Sequence, residues 1–152
     1  MRDIGKVQTR FFEFKDRKNP LRLRVGGELD RFTLAYEMYG RMNADKSNVI
    51  LLFHAMTGSQ HAAGHNAHVP GTDGRWTDEN HAGWWDGFIG PGKALDTRIF
   101  CVLCVNYLGG CYGSTGPASV NPKTGKVWGP SFPVLRMSDI VDSQMRLLDS
   151  LG

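Results

Sequence analysis

Val49-Ile50-Leu51-Leu52-Phe53-His54-Ala55-Met56-Thr57-Gly58 decides the fold. Its first five residues form an unbroken apolar run, which a strand carries when both faces of its sheet are covered, as in parallel α/β sheets. The polar, glycine-ended turn next to it sits at the carboxyl end of that strand, where open parallel sheets bind their ligands. Residues 99–105 repeat the pattern as Ile-Phe-Cys-Val-Leu-Cys-Val. The long interval between the two runs is ample for the crossover that parallel pairing demands.

Outward from these strands, residues 32–39 alternate. Phe32, Leu34, Tyr36 and Met38 fall on one face, with Thr33, Glu37 and Tyr39 on the other. This predicts a half-exposed strand near a sheet edge. Residues 9–14 read as a further strand, with Asn19-Pro20 and Gly26-Gly27 as turns. At the far end Met137, Ile140, Val141, Gln144, Met145, Leu148 and Leu151 recur at steps of three and four, which predicts a helix with Ser138 as its cap and Gly152 as its stop. Strand, crossover, strand and helix begin an α/β unit that expects another parallel strand.

The composition of the 152 residues, 41% hydrophobic and 22% charged, is that of one soluble globular domain. The net charge of +3 is spread among nearly as many acids as bases, so no basic stripe forms for nucleic acid. No stretch nears the roughly 20 apolar residues of a membrane helix, and residues 1–15 carry charges rather than an apolar signal core, which points to the cytoplasm. Cys101, Cys104 and Cys111 are an odd number in an apolar strand and its following loop. They read as reduced thiols rather than a disulfide framework.

Several constellations bear on chemistry. In hydrolase-type folds the turn after such a strand donates a backbone N–H to an oxyanion, and here the donor would be Met56. One such donor is worth roughly 2.7 to 4 kcal/mol of barrier. The plainer reading of the pentapeptide is a polar turn holding a hydrogen-bonded histidine. Gly83-Trp84-Trp85-Asp86-Gly87 either shapes a substrate channel or plugs a loop into the core. The glycines between Asn106 and Pro117 permit close backbone turns, but no lysine stands where a phosphate loop needs one.

Gly109-Gly110-Cys111-Tyr112-Gly113 matches a nucleophile elbow with cysteine in place of serine, making Cys111 a rival nucleophile. A gap after the strand and a Pro/Gly/Ser loop in place of a helix argue against it. No serine stands in a Gly-x-Ser-x-Gly setting. His61 and His65, with His68 and His81 beyond, would suit a metal if helical, yet Gly64, Pro70 and Gly71 break any helix and no carboxylate keeps step. They read as loop histidines near an active-site mouth, with no metal assigned.

Taken together, residues 54–58, 83–87 and 90–97, Asn106-Tyr107-Leu108-Gly109-Gly110-Cys111, Gly113-Ser114-Thr115-Gly116-Pro117, Asn121-Pro122 and Phe132-Pro133 resemble the homoserine O-acetyltransferase family. The resemblance runs in family order from about residue 34 to residue 152. It implies an incomplete α/β-hydrolase fold: residues 1–152 would be the N-terminal part of one domain, holding the N-terminal strands and first helices of a mostly parallel sheet. The nucleophile elbow, lid and remaining core would lie beyond Gly152.

The implied reaction moves an acetyl group from acetyl-CoA, a co-substrate rather than a bound cofactor, to the hydroxyl of L-homoserine, an early step of methionine synthesis. It runs by a ping-pong mechanism through a serine, with a histidine base and an orienting aspartate. None of that triad is assigned here. The roles that carry over are Met56 as backbone oxyanion donor, Thr57, Gly58 and Asn106 as lining of the acyl site, and Trp84 and Trp85 nearby. Full-length relatives are expected to be homodimers, and this segment alone is expected to be inactive and poorly soluble.

The same scaffold would serve a homoserine O-succinyltransferase, a serine O-acetyltransferase or an esterase. Outside catalysis, the chain would be a remnant or an assembly module.

Overall fold

The computed structural model describes residues 3–152. They form two compact units, one of residues up to Arg10 with Ala35–Asn106, the other of Phe11–Leu34 with Tyr107–Gly152.

The first unit is built on three strands. β5 (Val49–Leu52) and β6 (Cys101–Val105) run parallel, with Val49 opposite Cys101 and Leu52 opposite Cys104. The later residues of β4 (Arg31–Tyr39) pair with β6 in the antiparallel sense, Tyr36 opposite Val105 and Tyr39 opposite Val102. β6 lies between its neighbours and every residue of it is buried. β5 pairs with β6 alone among the described strands, and all four of its residues are partly exposed. β5 is thus the outer strand among those described, its two faces are partly open where the apolar run predicts both covered, and Phe53 falls just past its end with 44% exposure.

Register places Tyr39, Val102 and Ile50 in one row and Glu37, Cys104 and Leu52 in the next. Ala62, Ala63 and Ile89 pack with Tyr39, Val102 and Cys104, while Ile50 and Leu52 join the margin. These packing residues come from the crossover between β5 and β6, which contains one short 3-10 turn, Asp78–His81, and otherwise proceeds by hydrogen-bonded turns. Its tightest approach is at Gly83, where a Cβ would stand 2.1 Å from the Ala63 nitrogen.

In the second unit β1 (Arg10–Lys15) lies beside the opening residues of β4, and Phe14 stacks on Phe32 with ring centres 4.7 Å apart. β2 (Leu21–Arg22) and β3 (Glu28–Leu29) make a small hairpin. The helix α1 (Met137–Leu151) buries Ile140, Ser143, Gln144 and Leu147, and Gly152 closes it with a left-handed φ of 99°. Its cap is not Ser138, which is exposed. Asp139 Oδ2 accepts the Arg136 N–H at 2.7 Å and Oδ1 the Arg24 N–H at 3.0 Å. A buried carboxylate in the first turn meets the open N–H groups and the helix dipole together.

β4 departs from the alternation read in its sequence. It has a strand on each side, β1 and β6, and is not at an edge. Phe32 and Leu34 are buried as expected, but beyond them Ala35, Glu37 and Tyr39 are the buried residues, with Tyr36 and Met38 only partly covered. The buried set changes phase where the strand passes from one unit to the other.

Candidate active site

The carboxyl ends of β5 and β6 lie side by side in the first unit. After β5, residues 55–58 form a tight turn in which the Gly58 N–H donates to the Ala55 carbonyl at 2.7 Å. That carbonyl also receives His54 Nδ1 at 2.7 Å. His54 is buried against the turn, and a Cβ on Gly58 would come within 3.3 Å of its Nδ1. Burial holds the imidazole below its ordinary pKa of 6.5, against hydrogen bonds to the backbone of Ala55 and Val105 that favour the charged form.

Each expected site residue has a definite place. Met56 crowns the turn, 73% exposed, and Thr57 is exposed beside it. Among the described residues the N–H groups of Met56 and Thr57 meet no acceptor. Gly58 is half-buried. Asn106 is buried at the end of β6, its N–H donating to the Ala35 carbonyl at 2.8 Å. Trp84 donates Nε1 to the Ser59 carbonyl at 3.0 Å, tilts against Trp85 at 5.3 Å, and both rings stay about two-fifths exposed. The pair is a partly open wall and not a core plug.

Cys111, in the second unit, is exposed in an irregular loop, and the next α-helix begins only at Met137. An elbow's strand, turn and helix are not assembled around it. The histidines do not gather. His65 meets His81 edge-on at 5.5 Å, His68 is exposed, and His61 is buried rather than at a mouth.

His61 belongs to a polar cluster that sequence reading missed. Its Nδ1 lies 2.9 Å from Glu37 Oε2 and its Nε2 2.8 Å from the His81 carbonyl. Glu37 also accepts from Tyr39 Oη at 2.7 Å, Asn66 Nδ2 at 2.8 Å and Thr9 Oγ1 at 2.9 Å. Burial first, and Glu37 second, push the Tyr39 hydroxyl well above its usual pKa, so it stays a donor. Burial does the same to the Cys104 thiol, whose Sγ faces the Ser59 carbonyl at 3.9 Å. One signal for the cluster stands in the sequence: Glu37, the one carboxylate in β4, set among Leu34, Ala35, Tyr36, Met38 and Tyr39.

Two curated relatives show the same segment. Homoserine O-succinyltransferase of Saccharophagus degradans is 48% identical over 149 residues, 98% of this chain and 36% of that protein. Homoserine O-acetyltransferase of Moorella thermoacetica is 47% identical over 152 residues, 100% of this chain and 37% of that protein. The chain belongs to the homoserine O-acyltransferase family. No protein-family model matches it. Among solved structures, esterase E22 superposes with a TM-score of 0.80 at 37% identity over 97% of this chain and 38% of that one. Homoserine O-acetyltransferase of Bacillus anthracis gives 0.79 at 33% identity over 100% and 38%. The fold is that of the α/β-hydrolases, of which the chain holds a part. It spans a little over a third of the length of the family members it matches.

Proposed function

We propose that the turn at Met56 is the oxyanion-binding side of an acyl-transfer site, in a protein that moves an acetyl group from acetyl-CoA to the hydroxyl of L-homoserine. The observation that carries this reading is the Met56 N–H, free of any acceptor among the described residues and presented at the carboxyl end of a parallel strand. When a nucleophile attacks the thioester carbonyl, its oxygen gains charge, and a fixed N–H dipole stabilises that charge more than it stabilises the ground state. Met56 is the donor, and the Thr57 N–H, Gly58 and Asn106 line the acyl group. Trp84 and Trp85 offer apolar surface beside them.

The chemistry is ping-pong, through an acyl-serine whose hydroxyl is activated by a histidine and an aspartate. These three are assigned to no residue of this chain, which we read as the N-terminal part of a longer α/β-hydrolase domain. In that reading the segment alone is inactive, and the whole polypeptide works as a homodimer in the cytoplasm. No helix among the described residues is long and apolar enough to cross a membrane. Relatives named for acetyl and for succinyl transfer match at 47% and 48%, and we read the choice of donor as made by residues outside this segment.

The test is kinetic, in the complete polypeptide. Met56→Pro removes the N–H and should lower kcat on the order of 100- to 1,000-fold, while Met56→Leu should stay within about threefold of the parent. Equal rates for the two variants would end the reading.

The likeness to esterase E22 favours one second reading, in which water rather than homoserine takes the acyl group. Labelled acyl-enzyme separates them: rapid loss of label to water without homoserine favours hydrolysis.

A further inference from the structure

The first unit buries an ionisable pair that the acyl-transfer reading does not use. Glu37 and His61 are each fully inaccessible, 2.9 Å apart, and come from β4 and the crossover after β5. Glu37 sits in the interior row with Cys104 and Leu52, where a bare carboxylate would be very costly. It receives four donors: His61, Tyr39, Asn66 and Thr9. Both ring nitrogens of His61 face oxygens, Glu37 Oε2 on one side and the His81 carbonyl on the other.

The segment tied down by this pair begins directly after the turn that carries Met56. The Ser59 carbonyl accepts Trp84 Nε1, and the Tyr39 hydroxyl, which donates to Glu37, lies 2.9 Å from the Gln60 carbonyl. The Ala62 N–H donates to the Tyr39 oxygen at 2.7 Å. On the near side the turn is fixed by β5 and by the His54 ring. Four residues, 55–58, therefore span two anchors, and the far anchor is built on Glu37 and His61.

We infer that Glu37 and His61 are positioning residues for the turn after β5: their pair fixes residues 59–62, and through them the direction in which the Met56 N–H points. The inference rests on the oxyanion reading for its catalytic consequence and on hydrogen bonds alone for its structural one.

The experiment takes the complete polypeptide with Glu37→Gln, His61→Gln and both together, reading steady-state kinetics and amide hydrogen exchange. Each single variant should lower kcat on the order of 10- to 100-fold, with the KM for acetyl-CoA changed by less than about twofold. The double variant should be no slower than the worse single, since the two act as one unit. Exchange at the hydrogen-bonded amides of Gly58 and Ala62 should quicken while the β6 amides stay protected. Unaltered exchange at Gly58 and Ala62, additive losses, or an unchanged kcat per folded molecule where Met56→Pro is severe would each overturn the inference. Tyr39→Phe keeps the pair and removes only the hydroxyl, so it serves where a charge-altering variant fails to fold: it should quicken exchange at the same residues, and no change there counts against the inference. If exchange quickens in these variants while Met56→Pro proves mild, the positioning stands and the oxyanion reading falls.

Discussion

Two neighbouring strands of the first unit, β5 and β6, end side by side, yet the segments that leave them differ. After β5, the turn at residues 55–58 closes on its own Ala55 carbonyl and leaves the Met56 and Thr57 N–H groups without acceptors among the described residues. After β6, the Asn106 N–H is spent on Ala35, and further on Gly109 and Gly110 donate to Thr115 and Tyr107. An exposed N–H pair with no protein acceptor is free to meet a ligand oxygen, as the proposed oxyanion role requires. The backbone after β6 is closed on itself, and the turn after β5 is the one with open N–H groups that the proposed oxyanion role requires.

Gly83→Ala attacks the contrast hardest. Its Cβ would lie 2.1 Å from the Ala63 nitrogen and 2.2 Å from the Ala62 carbonyl carbon, so the far anchor cannot form as it stands. The expected cost is above about 4 kcal/mol, seen as lost soluble yield or a collapsed thermal transition. A folded, near-parental protein would show that the anchor is dispensable.

The two glycines Gly58 and Gly109 sharpen the comparison. A Cβ at Gly58 meets the Ala55 oxygen at 3.1 Å and the His54 Cβ at 3.2 Å, so the turn must shift by tenths of an ångström. Gly58→Ala should therefore reduce turnover by roughly tenfold or more, since small misplacements of a catalytic group are expensive. Gly109 has φ of +88°, where alanine is strained. Gly109→Ala should cost about 1 to 2 kcal/mol of stability and leave turnover per folded molecule near the parent's. Kinetics and chemical denaturation on both variants decide it, and equal effects on turnover would erase the distinction between the two turns.

The smallest effect is in pH. Burial keeps the His54 pKa below 6.5, so the unfolded chain takes up its proton first on acidification. Stability owed to neutral His54 is present above about pH 6.5 and fades as pH falls toward the folded value. His54→Gln should flatten that part of the stability profile measured by urea titration, and an unchanged slope would remove His54 from beneath the turn.

The legibility of the fold in the sequence depends on the range of the forces. The apolar run at β5, its repeat in β6, and the 3.6-residue pattern of α1 are local signals, and each element forms within a few residues of where they place it. The helix cap moves from Ser138 to the Arg136–Asp139 pair because Asp139 is fixed partly by Arg24, 115 positions away in the chain. The exposed partial face of β5 is hidden for a similar reason, since apolar content does not say how many neighbours a strand has. Alternation puts Glu37 on a polar face because it assumes one wet side, whereas the partner that lets Glu37 be buried, His61, lies 24 positions on. His61 itself reads as a mouth residue, for a histidine in a loop carries no mark of burial.

The proposed oxyanion role turns on one hydrogen. Replacing the Met56 backbone N–H by an ester oxygen through semisynthesis of the complete polypeptide removes that hydrogen and keeps the side chain, with the Ala55 carbonyl left as a weaker acceptor for the Gly58 N–H and His54. The ester-containing protein should show kcat lower by about 100- to 1,000-fold, a KM close to the parent's and an unchanged fold by circular dichroism. Full turnover by the ester-containing protein would contradict it.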